Sequence, residues 1–398
     1  MTATPHGLRH PCILNLLLII LALFPILSAR SADTVAPTIT KQPWPLVEAT
    51  PLPPDAWYRI NCSVRGLAGE KAPADKGTNA WESTSDWLDY KKWIEGRWSY
   101  LDRVRLSAMR SWGNTELASL RGETRAVFYP FSGPDVLYAD TFFPNSKYLL
   151  MAGLEPVGTM PDLAKLEEDG KLGAYLGEVK TSLFTILAAS FFKTKDMKND
   201  FNNQMVDGLM PALVVFLGRQ GYTIDSIEYV SLDRDGTLHL RNPGEKTSAS
   251  GVQITYFQGD RSNLRVLCYF QTDLGNDGLK SNPGFVRLMQ RLGPGITYLK
   301  AASYLLYEDY FSTIRNGILD NSVGVVEDDS GMPFRFFDPK QWNVTPYGNY
   351  TGPIALFKEH YQQDLADFYS RTSHQPLTFG SGYKYVASTS SLLVARKK

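Results

Sequence analysis

The sequence predicts an α+β fold, in which helices and an antiparallel or mixed sheet follow a signal peptide and a Pro-rich arm. Apolar residues recur at helical spacing in several long segments, and short β-type runs flank turn sequences such as Asp233-Arg234-Asp235-Gly236. Because helices and antiparallel strands interleave, this pattern favours α+β over a doubly wound parallel sheet. The chain has 398 residues, of which 43% are hydrophobic and 21% charged, so it can bury a sizeable core.

The first 31 residues have the pattern of a secretory signal peptide. Arg9 lies in a stretch without acidic residues, residues 13–27 are almost continuously apolar, and small residues surround Ser31. The apolar run is too short to cross a bilayer, which requires about 20 residues. We expect cleavage after Ser31 or Ala32 and a soluble mature protein in the periplasm or outside the cell. An uncleaved N-terminal anchor is the alternative.

The charge balance limits the partners of this protein. The chain has 41 basic and 41 acidic residues, whereas nucleic-acid-binding proteins carry a strongly basic face or total. No second apolar stretch reaches the length of a membrane span. We therefore expect no nucleic-acid partner and no integral membrane segment in the mature chain, and an unidentified ligand or protein partner.

Three regions are expected along the chain. Residues 1–31 are the signal peptide, and residues 32–80 are a Pro-rich arm and a loop, because proline lacks an amide donor and fixes φ. Residues 81–398 are expected to form a single α+β domain, with a subdivision near residue 220 as the alternative. The prolines of the arm are Pro37, Pro43, Pro45, Pro51, Pro53 and Pro54.

The most regular helical pattern follows four candidate N-cap residues at positions 83–86. Aromatic and aliphatic side chains then recur at spacings of three, four or twice that number, which places them on one face. An aromatic face could bind a sugar, but we interpret it as the buried side of an amphipathic helix, which Gly113 ends. The face consists of Trp87, Tyr90, Ile94, Trp98, Leu101, Ala108 and Trp112.

The remaining elements follow from the same two periodicities. Strands are predicted over residues 124–131, 147–152, 223–232, 237–240, 252–258, 264–271, 323–327, 332–337 and 392–396. Turn residues at 233–236 and 328–331 predict two hairpins. Helices are predicted over residues 161–177, 180–192, 201–217, 284–292, 304–319 and 356–369, and Pro211 is expected to break or kink the third of these.

Several well-known chemical signatures are absent. The sequence has no glycine-rich dinucleotide or phosphate loop, no His-Glu-x-x-His and no Cys-x-x-Cys, so no cofactor is expected. After removal of Cys12 with the signal peptide, Cys62 and Cys268 remain. In an oxidising compartment they could form a disulfide; the alternative is two buried thiols, since free cysteine is a common core residue.

Ser132 is the best candidate for a reactive side chain. It follows the predicted strand 124–131, where a nucleophile elbow would expose a serine, and Asp135 or a distant histidine such as His360 could be its partner. However, Gly-x-Ser-x-Gly is absent, and the same residues match a helix cap with Ser132 as N-cap and Asp135 at the third helical position. We therefore interpret Ser132 as a cap.

Two acidic turns are weak candidates for a calcium site. Asp233 and Asp235 begin like a calcium loop, but the later acid of that motif is missing. Asp273 and Asp277 offer oxygen ligands in a sequence that tight turns also favour. We interpret both as turns. The three carboxylates at 327–329 are likewise interpreted as a solvated turn, with an acid/base pair as the alternative.

Three short stretches resemble exported bacterial proteins of unknown function. These are residues 129–135 (YPFSGPD), 153–158 (GLEPVG) and 376–384 (PLTFGSGYK). The resemblance implies no activity, cofactor or site residue. From the absent signatures and the many turns we expect a noncatalytic exported protein with a binding or structural role. The alternative is a secreted serine hydrolase that uses Ser132.

Overall fold

Ten strands form one mixed sheet within the described part of the chain, which confirms the predicted α+β class. The computed structural model describes residues 46–72, 78–123, 126–191 and 205–398, so the predicted signal peptide and the first part of the predicted arm lie outside the described residues. The strands are β1 Ala126–Tyr129, β2 Tyr148–Gly153, β3 Thr223–Leu232, β4 Leu238–Leu240, β5 Ser250–Phe257, β6 Arg265–Gln271, β7 Gly295–Leu299, β8 Ser322–Glu327, β9 Trp342–Gly348 and β10 Ser391–Lys397.

The sheet has the order β4-β3-β5-β6-β2-β1-β7-β8-β10-β9. Its five central strands, β6, β2, β1, β7 and β8, run parallel, and antiparallel strands extend the sheet on both sides. The predicted hairpin of β3 with β4 is confirmed, and β5 and β6 continue antiparallel on the other side of β3. The parallel centre is the part that the sequence pattern disfavoured.

The helices cover both faces of this sheet. In the described ranges they are α1 Pro54–Leu67, α2 Ser85–Leu101, α3 Ser107–Glu116, α4 Ala118–Glu123, α5 Val136–Phe142, α6 Leu163–Glu168, α7 Leu172–Ala189, α8 Met210–Arg219, α9 Asn276–Ser281, α10 Gly284–Leu292, α11 Ser312–Asn321 and α12 Gln363–Arg371. None of these helices is long and apolar enough to cross a membrane.

The two largest apolar clusters of the described residues lie on opposite faces of the sheet, because side chains alternate along each strand. In β1, Val127 and Tyr129 belong to the core beneath α1, α2, α5, α7 and α8, whereas Phe128 belongs to the core beneath α9, α10 and α11. Residues Pro43–Lys398 form one compact unit. Within its sheet, β1 and β2, which come before residue 220, lie between strands that come after it.

The segment 54–67, expected to lie within the arm and loop, forms α1. Proline occupies the start of this helix, where its missing N–H has no intrahelical partner to lose. The buried Asn61 side chain donates to the Ile224 carbonyl (2.9 Å) and accepts from the Ile224 N–H (2.8 Å). The helix is therefore joined to β3 by hydrogen bonds.

The aromatic helix face is confirmed as core. Trp87, Tyr90 and Ile94 are fully buried, and the Thr84 side chain caps α2 by accepting from the Trp87 N–H. Instead of one helix ending near Gly113, the chain forms α2, a π-helical segment Asp102–Leu106 and α3, which continues to Glu116.

Other predicted elements also differ in the structure, and two of them illustrate the reasons. Pro211 lies in the first turn of α8 and begins that helix instead of breaking it, as a residue with fixed φ can. The predicted hairpin of residues 323–327 and 332–337 is wrong. The first segment is β8, which pairs with β7 and β10, whereas the second contains only the short 3-10 turn Phe334–Phe336.

Candidate functional site

A cavity of about 840 Å³ opens at the carboxyl ends of four parallel strands. Each strand contributes the loop that follows it: residues 131–135 after β1, 153–155 from the end of β2, 272–274 after β6 and 300–305 after β7. Because the carboxyl ends of parallel strands share one edge of the sheet, these distant loops meet there.

The strand order explains why a crevice forms at this edge. The chain leaves β1 for β2 on one side, whereas β7, on the other side of β1, continues to β8. The connections therefore diverge from the boundary between β1 and β7. Ligands of open parallel sheets bind at such topological switch points.

The walls of the cavity are mainly apolar and aromatic. Phe131 meets Phe311 edge-on, with ring centroids 5.8 Å apart. On another part of the lining, the centroid of the Tyr383 ring lies 5.0 Å from that of Phe191 and 5.3 Å from that of Phe357. The remaining apolar side chains of the lining are Leu154, Leu274, Ala301, Ala302, Leu305, Ile354 and Leu356.

A buried ion pair lies at the polar end of the lining. The Lys300 ammonium is 2.5 Å from Asp135 Oδ2, and the side chains are 1% and 3% exposed. Tyr129 donates its hydroxyl to the same carboxylate oxygen (2.8 Å), and the Tyr138 N–H donates to Asp135 Oδ1 (3.3 Å). Asp135 is therefore the N-cap of α5 and the counter-ion of a lysine at once.

The Lys300 ammonium has two further partners. It donates to the main-chain carbonyl of Ser190 and lies 3.8 Å from the centroid of the Tyr138 ring, a cation–π distance. Burial lowers the pKa of Lys300, and the neighbouring Asp135 opposes that shift. Burial raises the pKa of Asp135, and Lys300 opposes it. The low dielectric of the site thus favours the neutral form of each group.

Three carboxylates follow one another at the end of β8, and all three are buried. The interpretation of residues 327–329 as a solvated turn is therefore wrong. Asp328 accepts from the Ala301 N–H (2.9 Å) and the Ser330 N–H (3.0 Å), which ties β8 to the cavity loop after β7. Burial and the adjacent Asp328 raise the pKa of Asp329 to about 7. Burial also raises the pKa of Glu327.

Unusual backbone conformations concentrate around the cavity. In the described ranges five residues other than glycine have positive φ: Phe131 (61°), Ser190 (73°), Ala301 (51°), Ser303 (54°) and Tyr304 (59°). Three of them line the cavity, Ser190 accepts from Lys300, and Tyr304 follows Ser303. Such strain clusters at functional sites, where the surrounding structure holds it in place.

Ser132 lines the cavity but is not the predicted cap. Its hydroxyl donates to the carbonyls of Gly133 (3.0 Å) and Ala152 (3.2 Å), whereas Asp135 caps α5. Within the described residues, no hydrogen bond joins the Ser132 hydroxyl to Asp135 or to a histidine. His360 stacks on Tyr304 with ring centroids 5.1 Å apart and is not part of the lining. The structure therefore brings Ser132 and Asp135, but not His360, to the cavity.

In the two acidic turns, the aspartate side chains accept hydrogen bonds from main-chain N–H groups of the same turn. Asp233 accepts from the Thr237 N–H (2.8 Å) and contacts the His239 ring (2.7 Å), and Asp235 also accepts from the Thr237 N–H (3.1 Å). Asp273 accepts from the Gly275 N–H (2.8 Å), and Asp277 lies in the first turn of α9. In the described part of the chain no group of three acidic, histidine or cysteine side chains could hold a metal ion.

Cys62 and Cys268 are separate, buried thiols, so the disulfide interpretation is wrong and the alternative of two core cysteines is right. Cys62 belongs to α1, and Cys268 belongs to β6. Burial raises the pKa of the Cys268 thiol, which keeps it protonated and unreactive.

Sequence reasoning missed Lys300 and Tyr129, the two side-chain partners of Asp135. Lysine is rarely buried, so the only signal was its position directly after the apolar run 295–299. That run was not recognised as a strand, and so neither β7 nor the residue at its carboxyl end was considered.

The fold and the cavity define a class: an α+β protein whose parallel strands end at a cavity large enough for a small molecule. Comparison with known sequences adds no narrower description, because no protein-family model and no curated protein matches the chain. The geometry of the site alone therefore supports the functional conclusion below.

Proposed function

We propose that this protein binds a small, largely apolar molecule in the cavity at the carboxyl ends of β1, β2, β6 and β7. The observation that carries this proposal is the cavity itself. Its volume of about 840 Å³ and its aromatic walls are typical of sites that enclose small molecules. Its position at a topological switch point is where open parallel sheets bind ligands.

Exposed apolar side chains in the lining support the proposal that a ligand, and not bulk water, occupies the cavity. Leu154 is 59% exposed and Leu356 is 73% exposed, although both belong to the lining. Apolar surface in contact with water costs about 25 cal/mol per Å², so an apolar ligand that covers these side chains is stabilised by that contact.

In the proposed role, Ser132 does not act as a catalytic nucleophile. A serine nucleophile needs an adjacent base to accept its proton, whereas the Ser132 hydroxyl proton is directed at main-chain carbonyls. The serine hydrolase remains the alternative function. A fluorophosphonate probe separates the two, since it labels only an activated serine. We expect no labelling of Ser132; stoichiometric labelling would replace the binding proposal by the hydrolase.

Titration with the apolar dye Nile red tests the binding proposal. Leu305 lines the cavity, and Leu305→Trp adds volume there, so we expect the variant to bind the dye about tenfold more weakly, a loss of about 1.4 kcal/mol. Leu240 is 67% exposed on β4 and does not line the cavity, so Leu240→Trp is the matched control. Equal dye affinity of the two variants would show that the cavity is not the binding site.

We also propose that the protein is exported and that its signal peptide is removed near Ser31. The order of the basic start, the apolar run and the small residues supports this. N-terminal sequencing of the native protein from fractionated cells tests it. An intact Met1 recovered in the membrane fraction would contradict cleavage and favour the N-terminal anchor.

A further inference from the structure

We propose that Lys300 captures an apolar aldehyde or ketone inside the cavity by forming a protonated imine with it. This inference rests on the proposed function, because the carbonyl compound must first occupy the cavity. It names the ligand class and adds a covalent step to binding.

The position of Lys300 supports the proposal. The residue directly follows β7 at the switch point, lines the cavity, and is 3% exposed as a whole residue. Most lysines extend into water, where the ammonium is fully hydrated and protonated. Here the side chain is 1% exposed and belongs to the lining of a mainly apolar cavity, so a small molecule would reach it through that cavity.

The neighbours of Lys300 supply what imine formation requires, which is a neutral amine next to an acid. Asp135 Oδ2 lies 2.5 Å from the Lys300 nitrogen, so a proton can pass directly between them. Burial lowers the pKa of Lys300 and raises the pKa of Asp135, and both shifts reduce the cost of that transfer. Tyr129 donates a hydrogen bond to the same oxygen and holds the carboxyl group in place.

The reaction balances without another reactant. The ammonium of Lys300 transfers a proton to Asp135, and the freed amine attacks the carbonyl carbon as the carbonyl oxygen takes the proton from Asp135. The nitrogen of this adduct returns a proton to Asp135, which then protonates the hydroxyl group. Water leaves as the carbon–nitrogen double bond forms. The protonated imine keeps the positive charge beside the Asp135 carboxylate, so the buried charge balance is unchanged.

The lining selects an apolar carbonyl compound instead of a phosphorylated one. Among the described lining residues Lys300 is the only basic side chain, and Asp135 already neutralises it. A phosphate would therefore find no free cation at this site, whereas phosphate sites use lysine, arginine or helix N-termini. The aromatic rings of Phe131, Phe311 and Phe357 offer apolar contact instead.

A purely structural ion pair is the competing explanation. Buried ion pairs are weak contributors to stability, because desolvation offsets the attraction. Moreover, the backbone that surrounds Lys300 is strained: Ala301 and Ser303 have positive φ, and so does Ser190, which accepts from the ammonium. Strain that collects around a ligand-facing lysine is better explained by function than by stability.

The test is reductive trapping with octanal and sodium cyanoborohydride, followed by peptide mass spectrometry. In the wild-type protein we expect one octyl group on Lys300, added about tenfold faster than on any exposed lysine, because the bound carbonyl is held beside the amine. Octanol, which has no carbonyl group, should slow the labelling by competing for the cavity. Labels spread over exposed lysines, with Lys300 unmodified, would overturn the proposal.

Two variants complete the test. Lys300→Arg keeps the positive charge but cannot form the imine, so the rapid labelling should disappear. Lys384 donates to Thr351 outside the lining, so Lys384→Arg should be labelled like the wild type. If Nile red binds but octanal is not trapped at Lys300, the covalent step is wrong and the binding proposal stands. If Nile red does not bind either, the binding proposal is wrong.

Discussion

At Ser132 the neighbouring main chain decides what the hydroxyl does. The residue lies where a nucleophile elbow or a helix cap would place a serine, and both interpretations followed from sequence alone. Instead, its hydroxyl donates to the carbonyls of Gly133 and Ala152, which joins the loop after β1 to β2. Asp135 takes the capping role three residues later.

The first prediction therefore reverses the order that a cap would give. Ser132→Ala removes two hydrogen bonds and should cost about 1 kcal/mol of unfolding free energy. Ser132→Asp should cost about 3 kcal/mol or more, because it buries an unpaired carboxylate against carbonyl oxygens. In thermal denaturation, the Ser132→Asp variant should have a lower melting temperature than the Ser132→Ala variant. An Asp variant as stable as the Ala variant would support the cap after all.

Backbone strain at Ala301 leads to the second prediction. Its φ of 51° costs an L-residue about 1–2 kcal/mol, whereas glycine adopts this conformation freely. Ala301→Gly should therefore stabilise the protein by about 0.5 kcal/mol, after the greater chain entropy of glycine is subtracted. Ala302 is buried next to it without a positive φ, so Ala302→Gly should destabilise by about 1 kcal/mol. Urea denaturation measures the change in unfolding free energy of both variants. A change of the same sign in the two variants would contradict the strain argument.

At the scale of elements, α1 completes the hydrogen bonding of β3. The register of β3 against β5 shifts between Ile224 and Ser226, and the Asn61 side chain pairs with both main-chain groups of Ile224 at this irregularity. An element that was expected to be arm and loop therefore belongs to the sheet's hydrogen-bond network.

The third prediction concerns this junction. Asn61→Ala leaves the buried N–H and carbonyl of Ile224 without their side-chain partner, so it should lower the unfolding free energy by about 2–3 kcal/mol. The exposed Asn114 of α3 provides the matched control, and Asn114→Ala should change stability by less than about 0.5 kcal/mol. Chemical denaturation compares the two. A small effect at Asn61 would mean that water or another group satisfies Ile224.

At the scale of the whole molecule, the parts of the chain before and after residue 220 share one sheet. Strands β1 and β2 come before residue 220, but their outer neighbours β7 and β6 come after it. Separating the chain at that residue would break the pairing of β1 with β7 and of β2 with β6.

The fourth prediction follows from this topology. Limited proteolysis that cuts at residues 218–221 should leave fragments that remain associated, because the N-terminal fragment supplies β1 and β2 to the centre of a sheet whose other strands come from the C-terminal fragment. Size-exclusion chromatography with mass spectrometry checks this. Two fragments that separate and each retain a circular dichroism signal would favour a division into two domains near residue 220.

Buried carboxyl groups also give the molecule a pH dependence. Burial raises the pKa of Glu327, Asp328 and Asp329, to about 7 for Asp329. An acid whose pKa is higher in the folded state binds its proton more tightly there, so folding is favoured at low pH and loses stability as the pH rises through the window. For Asp329 this window runs from the ordinary value of 3.8 to about 7.

The fifth prediction is that Asp329→Asn flattens this profile. One titrating group contributes at most about 1.4 kcal/mol per pH unit, and the amide keeps an acceptor for the Tyr304 hydroxyl without the ionisation. Unfolding free energies measured from pH 4 to pH 7 should decrease less steeply than in the wild type. The exposed Asp89→Asn variant should keep the original slope. If the slope of unfolding free energy against pH is unchanged in Asp329→Asn, the pH dependence comes from the neighbouring carboxyl groups instead.

Local sequence pattern was enough to predict several elements of this protein. The face of Trp87, Tyr90 and Ile94 and the strands β2, β3 and β6 follow from periodicity, because helices and strands repeat every 3.6 and 2 residues. Turn residues predicted the hairpin of β3 with β4 for the same reason. These features require only neighbours along the chain.

The site, in contrast, depends on contacts between residues that are distant in sequence. Tyr129, Asp135 and Lys300 come from the ends of two strands that lie far apart in sequence but adjacent in the sheet. The parallel pairing of β1 with β7 leaves no local signature, since the chain returns through several other elements before the pair forms. The lowered pKa of Lys300 is likewise a consequence of burial, which depends on every layer packed around the side chain.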